Sequence, residues 1–165
     1  MVNGGFNRME RRLPVGAEVQ PEGGVHFRVW APASRTAGAE FFSPDGKIAH
    51  TIPLTTEVLG YFSGFAADAK AGDRYKIKLD HGSFPDPVSR FQPDGVHGPS
   101  QIVDPAFRWT DADWRGKDMR ELVIYELHVG TFTPEGTWRS AIEQLPELAR
   151  FGITMIEIMP IAEFP

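Results

Sequence analysis

The sequence predicts a mainly β protein: an antiparallel β-sandwich followed by one strand–helix–strand unit. Three observations lead there. Between Pro14 and about Asp80, apolar and polar residues alternate with period two, the pattern of strands with one buried face. Turn-forming clusters interrupt that alternation at intervals: Pro21-Glu22-Gly23-Gly24, Pro44-Asp45-Gly46, Ala71-Gly72-Asp73 and Asp80-His81-Gly82. From Leu122 the period changes, with an apolar run, a helical stripe and a second apolar run.

Strands are expected near 15–20, 24–31, 38–43, 47–53, 59–66 and 73–80. In the second, Val25, Phe27 and Val29 share one face and His26, Arg28 and Trp30 the other. The third and fourth flank Asp45-Gly46, where glycine accepts the positive φ of a hairpin turn. In the sixth, Tyr75, Ile77 and Leu79 alternate with Lys76, Lys78 and Asp80. Pro85 to Asp118 has no sustained period and contains Pro85, Pro87, Pro93, Pro99 and Pro105. It reads as an ordered, extended connector held down by Phe91, Phe107, Trp109 and Trp114, because proline stiffens a segment and keeps it out of a sheet interior.

Leu122 to Val129 is apolar and β-prone. Trp138, Ala141, Ile142, Leu145, Leu148 and Ala149 then recur as the apolar stripe of a helix. Thr137 is placed to cap its start, Arg150 lies in its last turn, and Gly152 suits the residue that ends it. Pro146 is expected to kink this helix or end its first half. Ile153 to Met159 forms the second strand, parallel to the first. The organisation expected is therefore a sandwich over 1–84, a Pro-rich connector packed at the domain junction over 85–120, and a strand–helix–strand unit over 121–165.

Composition narrows the function classes. The chain has 165 residues, 41% hydrophobic and 24% charged, which is globular composition. Its net charge of −5 offers no footprint for nucleic acid or an anionic membrane. Cysteine is absent, so thiolate metal sites, disulfides and cysteine nucleophiles are excluded. No apolar run approaches the roughly 18 residues that span a bilayer. The opening MVNGGFNRMERRLP lacks the apolar core of a secretory signal, so a soluble cytoplasmic protein is expected.

Nearly continuous apolar strands belong in a parallel sheet covered on both faces. Leaving Ile124, Val129, Ile156 and Ile158 uncovered would forgo roughly 1.5–3 kcal/mol each, a sum comparable to the stability of a whole domain, about 5–15 kcal/mol. The chain is therefore expected to be the front end of a larger α/β protein. The alternative is a strand pair that docks on the sandwich and is complete as it stands.

Val123-Ile124-Tyr125-Glu126-Leu127-His128-Val129-Gly130-Thr131-Phe132 resembles the first barrel strand of the α-amylase-type glycoside hydrolases, and Gly152 to Pro160 resembles their second. Glu157 followed by Met159-Pro160 is similar to the subgroup of branching enzymes, isoamylases and maltooligosyltrehalose trehalohydrolases. The connector from Pro85 to Ser100, the opening Arg12 to Val19 and the stretch Val25 to Pro32 resemble the trehalohydrolases in particular. The resemblance covers nearly the whole chain. It implies an N-terminal immunoglobulin-like sandwich, here followed by the first βαβ unit of a truncated (β/α)8 barrel.

It further implies a retaining glycoside hydrolase that cleaves the α-1,4 bond of maltooligosyl trehalose to release trehalose, using one carboxylate as nucleophile and another as general acid/base. No position here matches those carboxylates, so no catalytic residue is assigned and this piece alone is expected to be inactive. The alternatives are a non-catalytic α-glucan-binding or adaptor module, or a glycogen branching or debranching enzyme of the same clan. No cofactor is expected. Thr133-Pro134-Glu135-Gly136-Thr137 replaces the Asp/Asn-rich calcium loop of several clan members and has too few hard oxygen ligands for that ion, so no metal is expected there either.

Glu163 and Phe164 follow the second strand and are the candidates to approach substrate, with a fold-stabilising role as the alternative. His97, between Gly95 and Gly98, is expected to brace the domain junction rather than reach the cleft. Glu126 and His128 are expected to form a buried polar network with Glu157 rather than line a sugar site, and His128 lacks a second histidine at zinc spacing. Trp30, Trp109 and Trp114 are expected to be packed, the alternative being stacking platforms for glucose units.

Overall fold

In the computed structural model, which describes residues 11–161, the chain divides into two compact units, one running to Ala106 and one beginning at Phe107. The first unit is all β: β1 (Gly16–Val19), β2 (Val25–Trp30), β3 (Ala37–Phe42), β4 (Ile48–Thr56), β5 (Tyr61–Ala66), β6 (Arg74–Leu79), β7 (Gly82–Phe84) and β8 (Ser100–Gln101). The strands follow the order β1-β2-β5-β4-β3-β6-β7, with β8 on β6, and every pairing is antiparallel.

The two layers expected of a sandwich are one curled sheet, and β4 is the reason. It pairs with β3 from Ile48 to Leu54 and then with β5 at Thr55 and Thr56. One strand thus serves both halves. It continues through Pro53, which stands opposite Gly38, so the proline does not end it. The β3–β4 turn forms at Asp45-Gly46 as the sequence predicts: Gly46 has φ 80° and donates its N–H to the Ser43 carbonyl at 2.9 Å.

The curl brings the inward faces of β2, β3 and β6 together. Val25, Phe27, Val29, Ala39, Phe41, Tyr75 and Ile77 are all buried. The Phe27 ring meets Phe41 edge-on at 5.7 Å and Tyr75 at 5.0 Å, the arrangement that aromatic quadrupoles favour. Residues 85–106 close this unit rather than bridge away from it. Asp86, Ser100 and Ile102 are buried in it, and the Ile102 N–H donates to the Asp73 carbonyl at 2.9 Å. The short strands β7 and β8 were not expected from the sequence.

A 3₁₀ turn, Val58–Gly60, joins β4 to β5 and holds Leu59 at φ 61°. Leu59 is exposed and has no packing that requires its side chain, whereas the left-handed region costs a non-glycine residue about 1–2 kcal/mol. Leu59→Gly is expected to be neutral or to stabilise the chain by up to about 1 kcal/mol, although glycine substitutions ordinarily destabilise. Urea unfolding of the two proteins side by side checks the sign.

The second unit contains β9 (Ile124–Leu127), α1 (Val129–Phe132), α2 (Trp138–Arg150) and β10 (Met155–Ile158). β9 and β10 pair in parallel, with Ile124 opposite Met155 and Leu127 opposite Ile158. The first strand is shorter than its apolar run because the chain turns into α1 directly after His128. Thr137 caps α2: its side chain accepts from the Ser140 N–H while the Ser140 hydroxyl accepts from the Thr137 N–H. This reciprocal arrangement satisfies two otherwise orphaned donors. The helix runs through Pro146 to Arg150 as one element, and Gly152 follows it with φ 88°. Among the described residues no helix is long and apolar enough to cross a membrane.

Candidate functional site

Two surfaces of the first unit carry organised polar and aromatic groups. On the outer face of β2, Arg28 donates to both carboxylate oxygens of Glu57, from Nε to Oε1 at 3.1 Å and from Nη2 to Oε2 at 2.8 Å, and its guanidinium lies 4.0 Å from the centre of the Tyr61 ring. The hydrogen bond to Glu57 raises the Arg28 pKa, and the same bond holds Glu57 below the usual carboxylate range. Beside them Trp30 stands opposite Tyr61. Its indole is fixed by donation from Nε1 to the Leu59 carbonyl at 3.1 Å and remains 58% exposed.

Next to this ridge, Arg11 donates to the His26 ring nitrogen Nδ1 at 2.7 Å and to the His26 carbonyl. A guanidinium only donates, so Nδ1 accepts and the imidazole is neutral with its proton on Nε2. Burial lowers the His26 pKa and the Arg11 charge lowers it further. Glu18 is buried at the edge of this group. Burial opposes its ionisation, yet the backbone N–H groups of Arg12 and Leu13 and the Arg11 charge hold its pKa below the ordinary value.

The second surface is a groove of about 220 Å³ where β4 and β5 diverge. His50 stacks flat on Phe41, with ring centres 4.6 Å apart and planes within 9°. Phe65, Ile52 and the turn Ala66–Ala69 complete the apolar lining, and Asp68 and Asp73 supply carboxylates. Phe65 is held by the backbone beneath it: a Cβ on Gly24 would come within 2.4 Å of the Phe65 ring. The sequence reading did not identify this groove. The available signal was Phe65, a large apolar residue next to a turn on the polar side of a strand whose buried face is Phe62, Gly64 and Ala66.

The residues that the sequence singled out do not converge on one place among the described residues. His97 is exposed, and its carbonyl accepts from Lys76 Nζ at 3.2 Å. Glu163 and Phe164 lie outside the described residues. Glu126 and Glu157 face each other across the β9–β10 register, but both are exposed, as is His128, so the buried polar network expected of them is not formed. Two strands leave one side of the pair without the cover that burial requires. Trp109 and Trp114 are exposed like Trp30, against the expectation that all three are packed. Among the described residues no group of three histidines or carboxylates is placed to hold a metal ion.

A family model described as carbohydrate-binding module 48, the isoamylase N-terminal domain, matches residues 14–105. The malto-oligosyltrehalose trehalohydrolase of Deinococcus radiodurans is 43% identical over 155 residues, covering 93% of this chain and 25% of that protein. The enzyme of the same name from Saccharolobus solfataricus is 44% identical over 145 residues, covering 87% of this chain and 25% of the relative. Among solved structures, a Salmonella typhimurium protein designated an alpha amylase superposes with a TM-score of 0.78 at 38% identity, covering 92% of this chain and 25% of that one. The chain thus spans about a quarter of the length of the curated relatives it matches and corresponds to their N-terminal portion.

Proposed function

The chain belongs to the carbohydrate-binding module 48 family, and from that membership we propose that it is the N-terminal part of a retaining α-glucan hydrolase that cleaves maltooligosyl trehalose and releases trehalose. The single observation that carries this reading is the likeness to malto-oligosyltrehalose trehalohydrolases at 43–44% identity over most of the chain. The first unit is the glucan-associating module. The strand–helix–strand of the second is the first βαβ unit of a (β/α)8 barrel, whose acid pair belongs to the part of the relatives that this chain does not cover.

The surface of the second unit supports the barrel reading. Ile124, Ile142, Phe151, Met155 and Ile158 are all exposed, on elements that in a parallel α/β sheet have both faces covered. Further strands and helices would bury these side chains at roughly 1.5–3 kcal/mol each. In this reading Glu163 and Phe164, which follow the second strand in the sequence, are the positions to approach substrate.

The test is product analysis with the complete protein that carries this chain. Incubated with maltooligosyl trehalose, it should yield free trehalose and a shortened malto-oligosaccharide. With amylose it should introduce no α-1,6 branches. Branch formation without trehalose release would transfer the assignment to a branching enzyme.

A further inference from the structure

We infer that Arg11, His26 and Glu18 form an acid-sensitive latch, which ties residues 11–15 to β1 and β2 and frees them when His26 takes up a second proton. The tied residues wall a slot beside Trp30, so the latch governs whether that slot is closed. No substrate enters this device, and it stands apart from the activity proposed above.

Arg11 is the hub. Its side chain is only 11% exposed, and all three guanidinium nitrogens donate. Nε donates to the Leu13 carbonyl at 3.1 Å and Nη2 to the Gly16 carbonyl at 2.9 Å. Nη1 donates to Nδ1 of His26 at 2.7 Å and to the His26 carbonyl at 2.8 Å. One side chain thereby joins the segment's own turn, the start of β1, and β2. Glu18 holds the same segment by its backbone, accepting from the Arg12 and Leu13 N–H groups at 2.9 and 3.3 Å.

Of these bonds, the one to Nδ1 is the one whose acceptor titrates near neutral pH. When solvent gives a proton to Nδ1, an acceptor becomes a charged donor facing a guanidinium that can only donate. The charges around His26 are Arg11, Glu18 on β1, Arg28 on β2 itself, and Glu57 just after β4. Arg12 lies beside Glu18, and Arg90, which reaches the Ala17 carbonyl at 3.3 Å, adds positive charge near Arg11. β5 presents uncharged Phe65 and Ser63 opposite His26 and Arg28, with Tyr61 against the Arg28 guanidinium. Both carboxylates are held below their usual range, so they stay ionised while His26 titrates. Glu18 Oε2, 3.7 Å from Arg11 Nε, is then the partner that Arg11 keeps. Burial lowers the His26 pKa and the Arg11 charge lowers it further. A base with a lowered pKa supports the latched state fully above its ordinary value of about 6.5, and that support is lost as pH falls below it.

Gly16 is the joint between the segment and β1. Its φ of 91° lies where glycine is unstrained, and a Cβ there would come within 2.9 Å of Val88 Cγ2. Val15, next to the joint, lines a slot of about 180 Å³ with Arg28, Trp30, Pro87 and Val88. Arg28 also donates to the Pro14 carbonyl at 2.7 Å. Without the Arg11 contact to β2, this wall of the slot keeps only that bond and those to Glu18.

The experiment is NMR of the complete protein that carries this chain, with 13C in the histidine rings and valine methyl groups. The pH is lowered from about 8 to about 5, the range over which histidine changes charge. His26 should titrate with a midpoint below its ordinary value, and the Val15 methyl signals should move with that same midpoint. His26→Asn places a non-titrating carbonyl where Nδ1 accepts, and should hold the Val15 signals fixed across the range. Arg11→Gln removes the charge and should raise the His26 midpoint. Val15 signals that stay still while His26 titrates, or that move as before in His26→Asn, would overturn the latch. So would a His26 that takes up no second proton by about pH 5, or one whose midpoint is unchanged in Arg11→Gln.

Discussion

Phe27→Ala will lower the unfolding free energy of the chain by about 3–5 kcal/mol, the range for deleting a fully buried aromatic ring. Phe27 has no exposed surface and stands where the two halves of the curled sheet meet, against Phe41 and Tyr75. The cavity left behind cannot collapse, because its walls are held by backbone pairing on β2, β3 and β6. With total stabilities of about 5–15 kcal/mol for a domain, this one change brings the first unit close to its unfolding threshold. Phe107→Ala is the matched control: Phe107 is 70% exposed, and its loss should stay within about 0.5 kcal/mol. Urea unfolding followed by near-ultraviolet circular dichroism gives both values.

Breaking the buried Tyr75–Asp86 pair is the other large effect. Tyr75 Oη donates to Asp86 Oδ2 at 2.6 Å, and Asp86 Oδ1 accepts from the Val88 N–H at 3.0 Å. Asp86→Ala leaves a buried hydroxyl and a backbone donor without partners and should cost about 3 kcal/mol. Burial raises the Tyr75 pKa, and the Asp86 charge raises it further. A pKa raised in the folded state means that stability is complete below the unfolded tyrosine value of about 10 and falls as pH climbs above it. The parent should therefore lose stability above pH 10 more steeply than Tyr75→Phe, by up to about 1.4 kcal/mol per pH unit. Parallel slopes in the two proteins would show that Tyr75 ionises as freely in the fold as in the unfolded chain.

The strands were legible because burial on a half-buried sheet imposes period two, and the positions that alternate in β2 and β6 are the ones the fold buries. The β3–β4 hairpin was legible from Asp45-Gly46, and the start of α2 from Thr137. The role of Ser140 as the other half of that cap was not, since serine is a weaker signal at this position than Glu or Gln. Single-sheet topology was hidden because nothing local to β4 reports that its last two residues change partners. The groove was hidden for the same reason: it opens where β4 and β5 part, beyond the two residues of β4 that pair with β5. In α1, Val129-Gly130-Thr131-Phe132 has β-prone composition, and the helical turn there follows from the chain path after β9 rather than from propensity.

The most direct measurement is proton NMR of the complete protein acting on maltooligosyl trehalose, recorded before the anomers equilibrate. The trehalose-releasing assignment predicts free trehalose together with a malto-oligosaccharide whose new reducing end is first seen as the α anomer, as a retaining mechanism on an α-1,4 bond requires. An initial β anomer would contradict the retaining mechanism, and a product spectrum without trehalose would contradict the assignment itself.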